Sequence, residues 1–315
     1  MVSAILAFSI AFPGAGRQLP YVERAYMIGA LERGASELTV QGRPVEIYRT
    51  GAWATVVDAV EGTNTVECVY SLAQPGGGTV RVATNHVFRV ASRPQPPPKD
   101  AAGGAAAPAP EKKWEKLEYC SDEPRKHPSG RAPSEIAIVV DPGHGGSDTG
   151  ALSPHGLFEK NANLILARAV RDALAERGFN VRMTREDDRA LVLTERPRLA
   201  HEIGADAFIS IHHNAPAANQ DPRSARYTAV YAWNPLGERL ASHIAGHMAA
   251  ALDGDVPSKG VLHANFAVTR NPEIPSCLVE TDFMTSPQGE EAIFNHARQR
   301  FIAEAIAEAV AEWAK

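Results

Sequence analysis

The residues with the clearest chemical potential stand at the ends of apolar runs. Ile136-Ala-Ile-Val-Val140 leads into Asp141-Pro-Gly-His144-Gly-Gly146. Ala207-Phe-Ile-Ser-Ile211 leads into His212-His213-Asn214, and Ser276-Cys-Leu-Val279 into Glu280-Thr-Asp282. Glu159 stands one loop after His144, at the start of a helical stretch. Two imidazoles and a carboxylate delivered by separate elements suit a catalytic zinc ion, which takes three protein ligands and keeps a fourth tetrahedral position for water. A further carboxylate beside such a centre can take that water's proton. Adjacent strand residues point to opposite faces, so only one of His212 and His213 should reach a shared metal.

These side chains need a scaffold that brings strand ends together. Residues 163–177 read as a helix, with Leu166, Val170, Ala173 and Leu174 on one stripe and Gly178 placed to stop it. Strands are expected at 136–140, 180–184, 207–211 and 276–280, and helices at about 196–203, 237–252 and 289–315. This alternation predicts an α/β fold, a mostly parallel sheet with helices on both faces. Ligands in such sheets sit at the carboxyl ends of the strands, where the chemical residues fall.

The N-terminal half reads differently. Short alternating or β-branched runs at 45–48, 54–57, 65–70 and 79–82 are separated by turn residues such as Pro75-Gly-Gly-Gly78. They predict a small β-rich, SH3-like domain over 20–93. Tyr21, Tyr48, Trp53 and Tyr70 read mainly as its core, with a binding groove as the alternative. Residues 94–134 read as a Pro/Ala-rich and then charged linker, since they carry no hydrophobic period. Residues 1–19 form a candidate signal segment. The apolar run 2–12 has the length of a signal core but no basic residue before it, and reads equally as a buried strand or helix.

Five ordered stretches in 135–315 together resemble the zinc-dependent N-acetylmuramoyl-L-alanine amidases. They are Asp141-Pro-Gly-His-Gly-Gly-Ser-Asp-Thr-Gly-Ala151, Glu159-Lys-Asn-Ala-Asn-Leu164, Thr184-Arg185, Ser210-Ile-His-His-Asn-Ala215 and Leu278-Val-Glu-Thr-Asp-Phe-Met-Thr-Ser286. The resemblance implies that His144, Glu159 and His212 bind one Zn2+, choosing His212 over His213. It implies that Glu280 is the general base and then the acid. It also implies a reaction: hydrolysis of the amide between the lactyl group of N-acetylmuramic acid and L-alanine in peptidoglycan, in the periplasm or outside the cell. Asp141, Asp148, Asn163, Arg185 and Arg196 match family positions and are assigned supporting roles. His213, Asn214 and Asn265 are candidate substrate contacts. Alternatives are a zinc peptidase or deacetylase cutting another amide on the same scaffold, and a non-catalytic wall-binding protein. The chain departs from the family where Asp282 replaces a more usual glycine. That carboxylate either raises the pKa of Glu280 or faces solvent. Only 68 residues separate His212 from Glu280, which leaves no room for an inhibitory plug helix and predicts activity without an activator.

Other classes are excluded by composition. The net charge is −5 with no dense Lys/Arg run, so no nucleic-acid footprint is expected. No apolar run reaches the roughly 18–20 residues of a membrane span. The three cysteines include no close pair, which excludes a CxxC metal knuckle and a disulfide-dense scaffold. Cys277 lies in the catalytic sheet as a buried thiol, leaving Cys68 and Cys120 as the candidates for a single bridge. His243 and His247 have the i, i+4 spacing of a helical zinc pair. Ile244 stands where that motif needs Glu, so they read as surface histidines. For the N-terminal domain a wall or septal partner and a mere spacer are the two alternatives.

Overall fold

A computed structural model describes residues 8–94, 116–224 and 226–315. At its N-terminal end, Phe8, Trp53 and Tyr70 stack ring on ring with centroids 5.6 and 5.2 Å apart. Around them, β1 (Phe8–Phe12), β2 (Gln18–Leu19), β3 (Arg24–Leu31), β4 (Ala35–Val40), β5 (Arg43–Pro44), β6 (Ala52–Asp58), β7 (Gly62–Ala73) and β8 (Thr79–Val90) form two sheets. One runs β1-β3-β6 and the other β2-β8-β7-β4-β5. Met27, Leu31 and Trp53 from the first meet Leu38, Val66 and Phe88 from the second in one core. The β-rich expectation holds, with the strands spread over two facing sheets rather than rolled into one small barrel.

Three boundaries move. Phe8–Phe12 pairs antiparallel with β3, so this unit begins at Phe8 and not at 20; residues 1–7 lie outside the described residues. Residues 45–48 form no strand, apart from a single bridge from Ile47 to Trp53. The linker shortens: 95–115 lie outside the described residues, but 116–134 pack on the second unit. There Leu117 and Cys120 are buried, the Leu117 N–H donates to the Arg270 carbonyl, and Arg131 pairs with Asp206.

That second unit is built on a sheet whose central strands are buried on both faces and therefore apolar throughout. Its strands are β9 (Ala137–Pro142), β10 (Asn180–Met183), β11 (Ala207–Asn214), β12 (Thr228–Ala232), β13 (Ser258–His263) and β14 (Ser276–Phe283), in the order β10-β9-β11-β14-β12-β13. All pairs are parallel except β12 with β14. The helices are α1 (Glu159–Glu176), α2 (Glu195–Glu202), α3 (Pro235–Ala251), α4 (Pro287–Ile293) and α5 (His296–Trp313). Leu166 of α1, Ile244 of α3 and Ile306 of α5 cover one face of the sheet; Ala200 of α2 and Val268 cover the other. The long C-terminal helical stretch is broken at Asn295, whose side chain accepts from the Ala297 and Arg298 N–H groups and caps α5.

All three cysteines are free and buried. Cys68 sits in the sandwich core and Cys120 against the α/β unit, so the two candidates for a bridge are not paired. The two units touch where the Tyr26 N–H donates 2.9 Å to the Ala218 carbonyl and where His155 reaches the Thr50 carbonyl at 3.1 Å.

Candidate metal centre

Parallel pairing of β9, β11 and β14 fixes the site. Ser210 lies opposite Asp141, and His212 opposite Glu280, so the chemical residues emerge at one sheet edge. Glu159 arrives from the first turn of α1, where the helix dipole favours a carboxylate. His144 Nε2 lies 3.2 Å from Glu159 Oε2, and His212 Nδ1 lies 3.0 Å from Glu159 Oε1. One donor atom from each of the three residues falls within 4.8 Å of the others.

Each of these side chains is held from behind. His144 Nδ1 meets Asp148 Oδ2 at 2.9 Å, which orients the ring and leaves Nε2 facing Glu159. The Glu159 carboxylate accepts from the Ala151 N–H at 2.9 Å, the His213 N–H at 3.2 Å and Asn163 Nδ2 at 3.3 Å. The His144 backbone sits in the left-handed region at φ 59°, a conformation costly for a non-glycine residue and found where the surroundings enforce it. The enforcing groups are two buried arginines. Arg185 donates to the Pro142 and Gly143 carbonyls, and Arg196 to Pro142, His144 and the Asp141 carboxylate. Asp141 also accepts from Thr184 and Ser210. Gly143 is required by close approach, because a Cβ there would lie 2.1 Å from the His212 ring.

The electrostatics favour a cation. Burial opposes the charge of Glu159, yet its bonds to His144 and His212 hold its carboxyl well below the usual range. Burial also opposes charge on His144, but Glu159 and Asp148 push its pKa up to about 9. Glu280 goes the other way. Burial, and then the nearby Glu159 charge, raise its carboxyl well above the usual range, and its Oε2 is buried with no hydrogen-bond partner. Two imidazoles and an anchored carboxylate with converging atoms match the donor set zinc takes, and Glu280 lines the same cleft.

The cleft has a volume of about 300 Å³ and is walled on its apolar side by Leu193, Phe266, Val268 and Leu278. Asn214 lines it, with its Oδ1 accepting from the Ala215 N–H at 2.8 Å. Asn265 lies next door, in a ≈ 390 Å³ hollow that it shares with Trp233. The His213 side chain turns away into the helix layer. It is 3% exposed, bonds to Asn163 Oδ1 at 2.7 Å, and burial drives its pKa down to about 3. The residue still lines the cleft, while its imidazole is held by Asn163. Asp282 fits neither role expected of it: it is fully buried and paired with Arg226 and Arg298. His247 pairs with Glu312 on α5 at 2.6 Å, and His243–His247 joins no metal-capable cluster among the described residues. Leu193 and Phe266 were not singled out from sequence. The available signal was large apolar residues in segments with no helical or strand period, which suits a cleft wall.

A family model described as N-acetylmuramoyl-L-alanine amidase matches residues 138–312. The N-acetylmuramoyl-L-alanine amidase AmiA of Escherichia coli is 33% identical over 214 residues, covering 55% of this chain and 74% of that protein. The probable cell wall amidase LytH of Staphylococcus epidermidis is 33% identical over 178 residues, covering 56% of this chain and 57% of that protein. The solved N-acetylmuramoyl-L-alanine amidase AmiC2 of Nostoc punctiforme superposes with a TM-score of 0.53 at 32% identity, over 57% of this chain and 97% of that one.

Proposed function

This chain belongs to the N-acetylmuramoyl-L-alanine amidase family and carries its hydrolase domain, and from that premise we propose how its own residues cut the amide between N-acetylmuramic acid and L-alanine. His144, Glu159 and His212 would hold one zinc ion, the metal on which the family depends. The chemistry a bound zinc supplies is Lewis acidity, which polarises an amide carbonyl and makes water a nucleophile near neutral pH. Asp148 keeps the His144 ring aimed, and three N–H donors keep the Glu159 carboxylate in place.

Glu280 moves the protons. Its Oε2, buried and without a partner, takes a proton from the attacking water and returns it to the leaving alanine nitrogen. The raised carboxyl pKa makes the deprotonated form a stronger base than an exposed glutamate. Leu193, Phe266, Val268 and Leu278 give the cleft an apolar wall beside Glu280. No covalent enzyme intermediate is needed. Cys277 is buried in the sheet with its thiol pKa driven upward by burial, which keeps it out of the chemistry.

The single observation that carries this reading is the convergence of three donor atoms in one cleft that Glu280 also lines. Such an enzyme meets its substrate in the periplasm or outside the cell. Among the described residues no helix is long and apolar enough to cross a membrane. We assign the sandwich a wall or septal partner. The test is digestion of purified peptidoglycan. Free L-alanine amino groups should appear on intact stem peptides, vanish after chelation and return with zinc. Cleavage inside the stem, or release of acetate, would point instead to a peptidase or a deacetylase. No cleavage at all would point to a binding protein.

A further inference from the structure

A second set of described side chains, away from the cleft, also converges. Cys120 Sγ, His201 Nδ1 and a Glu273 carboxylate oxygen all lie within 4.8 Å of one another. They come from three separate stretches: the segment that follows residue 115, the last turn of α2, and the loop that feeds β14. Cys120 is 5% and Glu273 8% exposed. His201 Nδ1 lies 3.1 Å from Glu273 Oε2, close to the spacing within the His144–Glu159–His212 set and near the edge of about 3.3 Å expected for tetrahedral ligands about 2.0–2.1 Å from zinc. Arg125 engages only the other oxygen, Oε1, at 2.7 and 2.8 Å, so Oε2 stays turned toward His201. The Tyr119 ring packs on His201 with centroids 5.3 Å apart, which fixes the imidazole.

We propose that Cys120, His201 and Glu273 form a second metal site, selective for zinc-class cations, that staples the 116–127 segment to the α/β unit. A thiolate, an imidazole and a carboxylate choose zinc over magnesium or calcium, which prefer all-oxygen sites. Binding replaces the thiol proton with the metal, and that proton leaves to solvent. The site has a structural reach into the cleft. The loop ending at Glu273 begins in the cleft wall at Phe266 and Val268, and the Leu117 N–H donates 3.2 Å to the Arg270 carbonyl midway along it. This site stands apart from the amidase reading, which rests on other residues.

The test uses the full chain. Zinc-reconstituted protein should hold two equivalents by mass spectrometry. Cys120→Ser and His201→Asn should each lose one, and Glu159→Ala the other. Cobalt gives an independent readout that needs no variant. The His144–Glu159–His212 set contains no sulfur, and Cys68 and Cys277 lie in apolar cores. A thiolate-to-cobalt charge-transfer band in the wild-type protein can therefore come only from Cys120. The band should persist in Glu159→Ala and vanish in Cys120→Ser. One equivalent of metal in the wild type, or cobalt loading without the band, would overturn the proposal.

Discussion

The sandwich and the α/β unit bury apolar side chains alike but treat polar groups in opposite ways. Among the described residues of the sandwich, the buried polar side chains are Asn64, Ser71 and His86, and none carries a fixed charge. The α/β unit buries Asp141, Glu159, Lys160, Arg185, Arg196 and Asp282. Removing such ions from water costs several kcal/mol each unless they are paired and hydrogen-bonded, and here each one has partners. What this charge achieves is placement. Arg185 and Arg196 are spent on the carbonyls of 142–144 and so hold His144 in a backbone conformation it would not otherwise adopt. Buried, paired charge marks the unit that does chemistry, and an uncharged core marks the unit that does not.

The largest effect expected from this contrast is on catalysis. Glu280→Gln should lower amidase turnover by about 10²–10⁴-fold, the usual contribution of a general acid–base group, with metal content unchanged. A rate close to wild type would remove Glu280 from the mechanism. The sandwich should be silent in the same assay. Turnover of a small soluble muropeptide should survive Trp53→Ala, even though that change deletes the largest buried side chain of the sandwich and should cost its fold about 3–5 kcal/mol. A matched loss of turnover would mean the two units are not separable.

Stability sharpens the contrast further. Arg196→Met leaves Asp141 buried with a charge and without its cation, and should cost about 3–5 kcal/mol in denaturant unfolding of the α/β unit. The exposed sandwich pair Arg43–Asp58 is 72% and 70% exposed, and Arg43→Met should stay within about 0.5 kcal/mol of wild type. Similar costs for both variants would break the comparison.

Much of the α/β unit was legible in sequence because its signals are local. Continuous apolar strands, an amphipathic α1 and chemical residues at strand ends need no knowledge of the fold. Gly143 and Gly150 belonged to the quoted motifs, and only the structure shows why: a Cβ at Gly150 would meet Glu159 Oε2 at 2.5 Å. What stayed hidden depends on distant partners. Phe8–Phe12 reads equally as part of a signal core or as a buried strand until β3 is seen to pair with it. The 116–134 segment reads as linker because its anchors, Arg270, Glu273 and Asp206, lie far along the chain. Asp282 reads as a carboxylate next to the base because Arg226 and Arg298 come from other elements. His213 looks as available as His212 until α1 supplies Asn163 to hold it.

The smallest expected effect lies where the two units meet. His155 Nδ1 is 2.7 Å from Glu290 Oε2, and its Nε2 is 3.1 Å from the Thr50 carbonyl of the sandwich. Both partners are acceptors, so only the charged imidazole, with two N–H donors, satisfies both; the neutral ring must drop one. The hydrogen bond to Glu290 raises the His155 pKa above its ordinary value of 6.5. A raised folded-state pKa places the pair's full contribution below pH 6.5, and the contribution fades as pH climbs through the folded value. The neighbouring Arg49–Glu291 pair is exposed and so responds to salt. The thermal-stability margin of wild type over His155→Gln should therefore narrow from pH 6 to pH 9 at fixed ionic strength. With a third of the His155 side chain exposed, the change should be modest. A margin that stays constant over this interval would mean the junction does not depend on His155 charge, and that the sandwich is held to the α/β unit by contacts such as Tyr26 to Ala218 alone.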